Sequence, residues 1–448
     1  MIQMKIIFIL LIAGTLAEEG EEPAYNYTLY NTKRVNEKIS GTLIIQQEED
    51  ASALSYYVRN RGYETNIYTI NGSIIYKSGK SNNLEKTLSL CFNSAILASE
   101  YSVNFENSIL NTTDSGSIAL CAVDGGKITA RNSTIITHSA NSNALRAKSG
   151  SVSASHSIIQ TLGENSPIFS DEIGSSVSCD GCELYTAKTG SPLVHTKGSC
   201  SLRNTNGYAE NSQAIIIDGK INVFIQSGTK LKCSGKGTSA DSSDACGILI
   251  KNSTAGNGHQ VGTSQNYTSL IINNGSLEIT DETAPMILVD GAYSDFFFTW
   301  ATIKSKIFLK IKGTSSKINL YMNRCDIKGD IIGDENTHLS ISLQSSNFTG
   351  AINPDGKAGY IDFFMSESST LTLTGNSNFD AYYNADRTKS NVITNSFSMN
   401  GVEEEDSSLS ILCSKLMLLL LVCLLAWVII KILKNFKILA LKPRFINE

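Results

Sequence analysis

Cleavage of a polysaccharide needs two carboxyl groups held within roughly 5 to 10 Å of each other across a bond, or acidic residues gathered into a calcium site with a basic residue beside it. In this chain of 448 residues the carboxylates Asp124, Asp218, Asp290 and Asp355 each stand directly before a glycine, which is turn chemistry. Asp241 and Asp244 lie in a polar excursion, the one place where an insertion can bring a carboxylate against a neighbour. Cys179-x-x-Cys182 has the spacing of half a metal site, but no second such pair and no histidine pair follows at ligand distance. His259 ends Gly256-Asn257-Gly258-His259 inside a polar loop. No nucleophile elbow, phosphate-binding loop or dinucleotide fingerprint is present. The expectation is a protein without catalytic residues, metal or cofactor.

The elements that would position such groups announce themselves as a repeat. Between residues 94 and 212 a unit recurs about every 24 residues. Aligned on Ser94, Ser117, Ser142, Ser166, Ser191 and Ser212, the residue three positions on is Leu97, Leu120, Leu145, Phe169, Val194 and Ile215. A second apolar ladder is Val103, Ile128, Val152, Val177 and Cys200, with Phe105, Ala130, Ala154, Cys179 and Leu202 two residues later, hence on the same side of a strand. A third is Thr112, Thr137, Thr161 and Thr186, and glycines at 126, 150, 174 and 198 mark turns where a positive φ is expected.

Short β-rich units cannot bury their own apolar face, so they must stack into one core. Leucine-rich repeats share the period but need a different frame and a helical or 3₁₀ return; a left-handed β-helix needs a hexapeptide sub-period, which is absent. The sequence therefore predicts an all-β fold, a right-handed parallel β-helix, over residues 41–385. An N-terminal lead-in at 18–40 precedes it and an exit cap and stalk at 386–408 follows.

The ends suggest location. Residues 1–17 have the charged start, apolar middle and small-residue site of a secretory signal. Residues 409–433 are long and apolar enough for one transmembrane helix, provided that Lys415 and Lys431 snorkel. The lysine-rich tail 434–448 is expected in the cytosol and the acidic Glu403-Glu404-Glu405-Asp406 side outside, giving a single-pass plasma-membrane protein with an extracellular β-helix. A basic extension after the apolar run excludes a glycolipid-anchor signal.

Eight of the ten cysteines precede that span, an even number suited to an oxidising compartment. Cys233 with Cys246, flanking a polar loop, and Cys182 with Cys200 are the candidate disulfides. Asn26, Asn71, Asn111, Asn132, Asn252, Asn266, Asn274 and Asn347 are candidate glycosylation sites. A net charge of −5 with no basic stripe outside the tail argues against a nucleic-acid or heparin-like partner. The run Phe296-Phe297-Phe298 with Trp300 cannot be hidden by alternation, since adjacent strand residues face opposite sides. At least one must point outward or lie beneath a loop or neighbouring coil, and Phe296, Phe298 and Trp300 are candidate ligand contacts if no loop covers them.

The run Ser346-Asn347-Phe348-Thr349-Gly350-Ala351-Ile352-Asn353, then Gly359-Tyr360-Ile361 and Leu371-Thr372-Leu373-Thr374-Gly375-Asn376-Ser377, resembles the C-terminal rungs of adhesin-like right-handed β-helix surface proteins. These are similar to pertactin-type autotransporter passengers. Ser191-Pro192-Leu193-Val194 and Ala284-Pro285-Met286-Ile287 resemble recurrent rung starts of the same group. The resemblance covers roughly residues 40 to 385 and implies surface display and adhesion without defined catalytic residues. The chain departs from that group in having one helical anchor in place of a translocator barrel. The expected function is binding of a cell-surface, matrix or glycan partner. The alternative is an extracellular lyase or hydrolase acting on polysaccharide from a pectate-lyase-like β-helix.

Overall fold

The computed structural model describes residues 39–45, 67–80, 84, 91, 93–99, 101–238, 242–251, 267–313 and 316–403. They form an all-β, right-handed parallel β-solenoid of about 12 turns. The signal segment, the apolar span and the tail fall outside the described residues, as do Asn26, Asn252, Asn266, Asp241 and His259. Among the described residues no helix is long and apolar enough to cross a membrane.

Each upstream rung holds three short strands. The rung that begins at Lys127 runs Lys127–Arg131, Thr134–Thr137 and Leu145–Lys148, and each strand pairs in parallel with its counterpart one rung on. This makes three parallel sheets along the axis. Alternation follows the pleat: Val152 and Ala154 point in, Ser151, Ser153 and Ser155 point out. Both apolar ladders read from the sequence hold from the second unit onward. Leu120, Leu145, Phe169, Val194 and Ile215 form one inward column. Val103, Ile128, Val152, Val177 and Cys200 form another. The Thr112 to Thr186 ladder is wholly buried, with Thr137 Oγ1 donating to the Ser142 carbonyl at 2.7 Å. The serine ladder stitches the rungs together: the N–H groups of Ser117, Ser142 and Ser166 donate to Oγ of Ser142, Ser166 and Ser191.

Three expectations change. In the first unit the register is one residue off, because Ile96, not Leu97, pairs with Leu120. Leu97 instead lies outside the core in a small cluster with Cys91, Ile118, Cys121 and Val123. The ladder glycines are there for different reasons. Gly174 has φ +80, whereas a Cβ on Gly126 would stand 2.2 Å from the Ala98 carbonyl oxygen and one on Gly198 2.2 Å from that of Ser175. Those two are required by the approach of the preceding rung, not by φ. Finally, strands Val392–Ile393 and Met399–Glu403 carry rung pairing into the stretch assigned to the exit cap.

Rung shape changes along the axis. The third sheet narrows to the ends of Thr302–Lys312 and Asp326–Ile332 and then to a single bridge, Ile331 to Ile352, and the first sheet's strands lengthen from five residues, as in Ser151–Ser155, to eight in Ser316–Asn323 and Thr337–Gln344. A strand of eight offers four outward positions where five offers three. The widest outward face therefore lies in the C-terminal half.

Candidate functional site

Four strands build that face: Tyr293–Thr299, Ser316–Asn323, Thr337–Gln344 and Tyr360–Met365. Their inward residues, among them Phe296, Phe298, Leu320, Met322, Ile341 and Phe363, are core. Parallel register then lines up what points outward, rung over rung. One column is Tyr293, Lys317, His338 and Tyr360, the next Asp295, Asn319, Ser340 and Asp362. A third is Phe297, Tyr321, Ser342 and Phe364, extended to Tyr383 by Ser377–Asn384.

The third column stacks. Phe297 and Tyr321 lie 5.2 Å apart with planes 5° from parallel, and Phe364 and Tyr383 lie 5.3 Å apart at 6°. Rings rising from strands one rung apart are brought into this geometry by strand spacing alone. Ser342 interrupts the stack and is 8% exposed between the flanking rings. The polar column beside it is internally bonded: Asn319 Nδ2 donates to Asp295 Oδ1 at 2.7 Å and Ser340 Oγ to Asp362 Oδ2 at 2.9 Å. Burial raises Asp295 above the usual carboxylate range, and the bond from Asn319 partly offsets this. The outer column stays open, with Tyr293 50% and Tyr360 41% exposed, and His338 stacking on Tyr360 at 6.2 Å.

Chemically the face presents apolar ring planes beside carboxylate, carboxamide and hydroxyl groups, the mixture that grips a ligand with both C–H surfaces and hydroxyls. Asp295 and Asp362 are three rungs apart, roughly 14 Å at strand spacing. That exceeds the separation over which two carboxyl groups share one glycosidic bond.

Of the aromatic candidates, Phe296 and Phe298 are fully buried and stack on each other in the core at 5.9 Å. The outward member of the run is Phe297. Trp300 is 53% exposed at the turn that follows, in a positive φ, with the Arg324 guanidinium 4.9 Å over its ring. Tyr321, Phe364 and Tyr360 were missed by sequence reasoning. They follow Phe297 through one step of the upstream length, 24 residues to Tyr321, and then through shorter ones, 21 to Ser342 and 22 to Phe364. Carrying the alternation across those unequal lengths was the signal available.

The cysteines sort differently from the pairs chosen by spacing. Cys91 is bonded to Cys121, while Cys182, Cys200, Cys233 and Cys246 are buried free thiols. Cys233 lies in the core, pushed up to about 12 by burial, and Cys246 in an outer cluster with Ile216, Leu249 and Leu288. Cys200 is also pushed up by burial, and Cys182 is lowered, chiefly by a hydrogen bond from Cys179. The sequons Asn132, Asn274 and Asn347 are exposed and Asn71 and Asn111 half-buried. Asn132 Nδ2 also donates to Asn107 Oδ1 at 3.4 Å, in an asparagine ladder that continues from Asn107 to Asn71. No group of three or more metal-binding side chains is assembled among the described residues.

The fold and face define a β-solenoid with a broad outward surface. No protein family, curated protein or solved structure matches the chain.

Proposed function

We propose that this β-solenoid is an adhesin-like cell-surface protein that binds a glycan or glycoprotein partner through the outward face of residues 293–383, without catalysing a reaction. The observation that carries the reading is the stacked ring column, Phe297 on Tyr321 and Phe364 on Tyr383, running beside the bonded polar column Asp295, Asn319, Ser340 and Asp362. In this reading the apolar start of the chain directs secretion, residues 409–433 anchor it and the lysine-rich tail faces the cytosol, with the solenoid displayed outside the plasma membrane. A tag after Glu448 is then reached only in permeabilised cells and one near Tyr25 on intact cells.

The binding reading is tested with an ectodomain ending near Val402 on a glycan array and on intact cells. Saturable binding, weakened by Tyr321→Ala and Phe364→Ala in protein that still folds, is the expected result. Release of reducing ends from pectin, alginate or chitin, abolished by Asp241→Ala or Asp244→Ala, would replace it with the polysaccharide-acting enzyme.

A further inference from the structure

The entry to the solenoid breaks both polar ladders in the same rung. Where later rungs place Thr112, Thr137, Thr161 and Thr186, the strand Ile67–Lys77 places Lys77, the register partner of Thr112. Where the serine ladder begins at Ser117, the rung before it carries Asn93, whose Nδ2 donates to Ser117 Oγ at 3.3 Å. Lys77 is 0% exposed and Asn93 3%. A lysine is almost never fully buried without a specific partner.

That partner is a carboxamide. Lys77 Nζ stands 2.6 Å from Asn93 Oδ1. With a C=O bond of about 1.2 Å, the amine is at most about 3.8 Å from Cγ, close to the roughly 3 to 3.5 Å of a near-attack arrangement. The amide is held at its nitrogen as well, with Nδ2 donating to the carbonyls of Gly79 at 3.0 Å and Gly116 at 3.2 Å. Burial lowers Lys77 to about 8, partly offset by the charge of Asp114. About a tenth of the amine is therefore unprotonated and nucleophilic at pH 7, far more than for an ordinary lysine.

We propose that Lys77 and Asn93 join in an intramolecular isopeptide bond that covalently ties the end of strand Ile67–Lys77 to the start of strand Ser94–Ser99 in one rung. Nζ attacks Cγ, the Nζ–Cγ bond forms, the Cγ–Nδ2 bond breaks and Nδ2 leaves as ammonia. One amine proton passes to the departing nitrogen. Asp114 is the carboxylate whose charge acts on Lys77, and it accepts the Gly79 N–H at 2.7 Å. Amine plus carboxamide gives secondary amide plus ammonia, with no oxidant, cofactor or second protein consumed. The product replaces a buried cation by a neutral amide, removing a desolvation cost. It also lies near the N-terminal end of the described stack, where a solenoid has few rungs beyond it, and Asn93 stands two residues after Cys91 of the Cys91–Cys121 bridge.

Mass spectrometry of the purified, reduced and trypsin-digested full chain tests this directly. The expected product is one branched peptide containing both residues, uncut after Lys77 and lighter than its two linear components by one ammonia. It is absent from the Lys77→Met and Asn93→Ala chains. Linear wild-type peptides, cut after Lys77 and carrying unmodified Asn93, overturn the proposal, as does a branched peptide that persists in Asn93→Ala. The wild-type measurement decides the matter even if neither variant folds.

Discussion

Phe297 lies flat against Tyr321 because the two are direct partners in a parallel register, not because either seeks the other. Aromatic pairs in this arrangement contribute about 0.5 to 1.5 kcal/mol beyond the area they bury. Replacing Tyr321 by Ala should therefore cost the solenoid only about that much stability and leave it folded, while removing a ring from the face and weakening glycan or cell binding by roughly tenfold, as loss of a contact of about 1.4 kcal/mol does. Phe298→Ala should do the opposite, costing about 3 to 5 kcal/mol of stability by opening a core cavity. Paired binding isotherms and unfolding curves for the two variants check the division; equal binding losses from both would sink the assignment of the face.

Leu145 stands in the inward column between Leu120 and Phe169, with no exposed surface. Leu145→Asp would bury an unpaired charge at a cost of several kcal/mol. Secretion and thermal unfolding of the variant ectodomain should both fall sharply. A variant that melts and secretes like the parent would mean the register is wrong.

Adjacent glycines should respond unequally. At Gly125, φ is +78 and an added Cβ meets nothing within 4 Å, so Gly125→Ala pays only for the left-handed backbone, about 1 to 2 kcal/mol. At Gly126 the same methyl would strike the Ala98 carbonyl oxygen at 2.2 Å, and the neighbouring rung must move. Denaturant midpoints should rank wild type, Gly125→Ala, Gly126→Ala in falling order, and a reversal would show that the rungs do not approach as described.

Two buried groups pull stability in opposite directions with pH. Burial raises Asp171 from 3.8 to about 7, although its Oδ1 accepts the N–H groups of Lys197 at 2.8 Å and Gly198 at 3.2 Å. The folded state thus binds that proton more tightly, and stability falls as pH rises from about 4 to 7. Burial, with Lys251 adding to it, lowers His195 from 6.5 to about 4, so the unfolded state binds its proton more tightly and stability falls as pH drops from 6.5 to 4. Each effect is on the order of 3 to 4 kcal/mol, and over the shared window they largely cancel. Asp171→Asn should unmask loss of stability on acidification, and His195→Gln should unmask gain. Unfolding midpoints measured from pH 4 to 7.5 check the two slopes, and parallel pH profiles for the two variants would refute the pairing.

What the sequence determined by itself was the repeat, and through it the solenoid. Leu120, Leu145, Phe169 and Val194 recur because every rung must offer an apolar residue at one point of a shared core, so core geometry is written as periodicity. The face could not be read the same way. An outward column carries no requirement to be apolar, and downstream rungs of unequal length hide the partnership of Phe297, Tyr321, Ser342 and Phe364 until the strands are laid in register. Proximity between strands likewise belongs to the tertiary structure: it put Lys77 against Asn93, 16 residues apart, and joined Cys91 to Cys121 at a separation of 30 that matches no rung period. It also gave Gly126 its reason, a carbonyl from the coil before it, where sequence alone suggested only a turn.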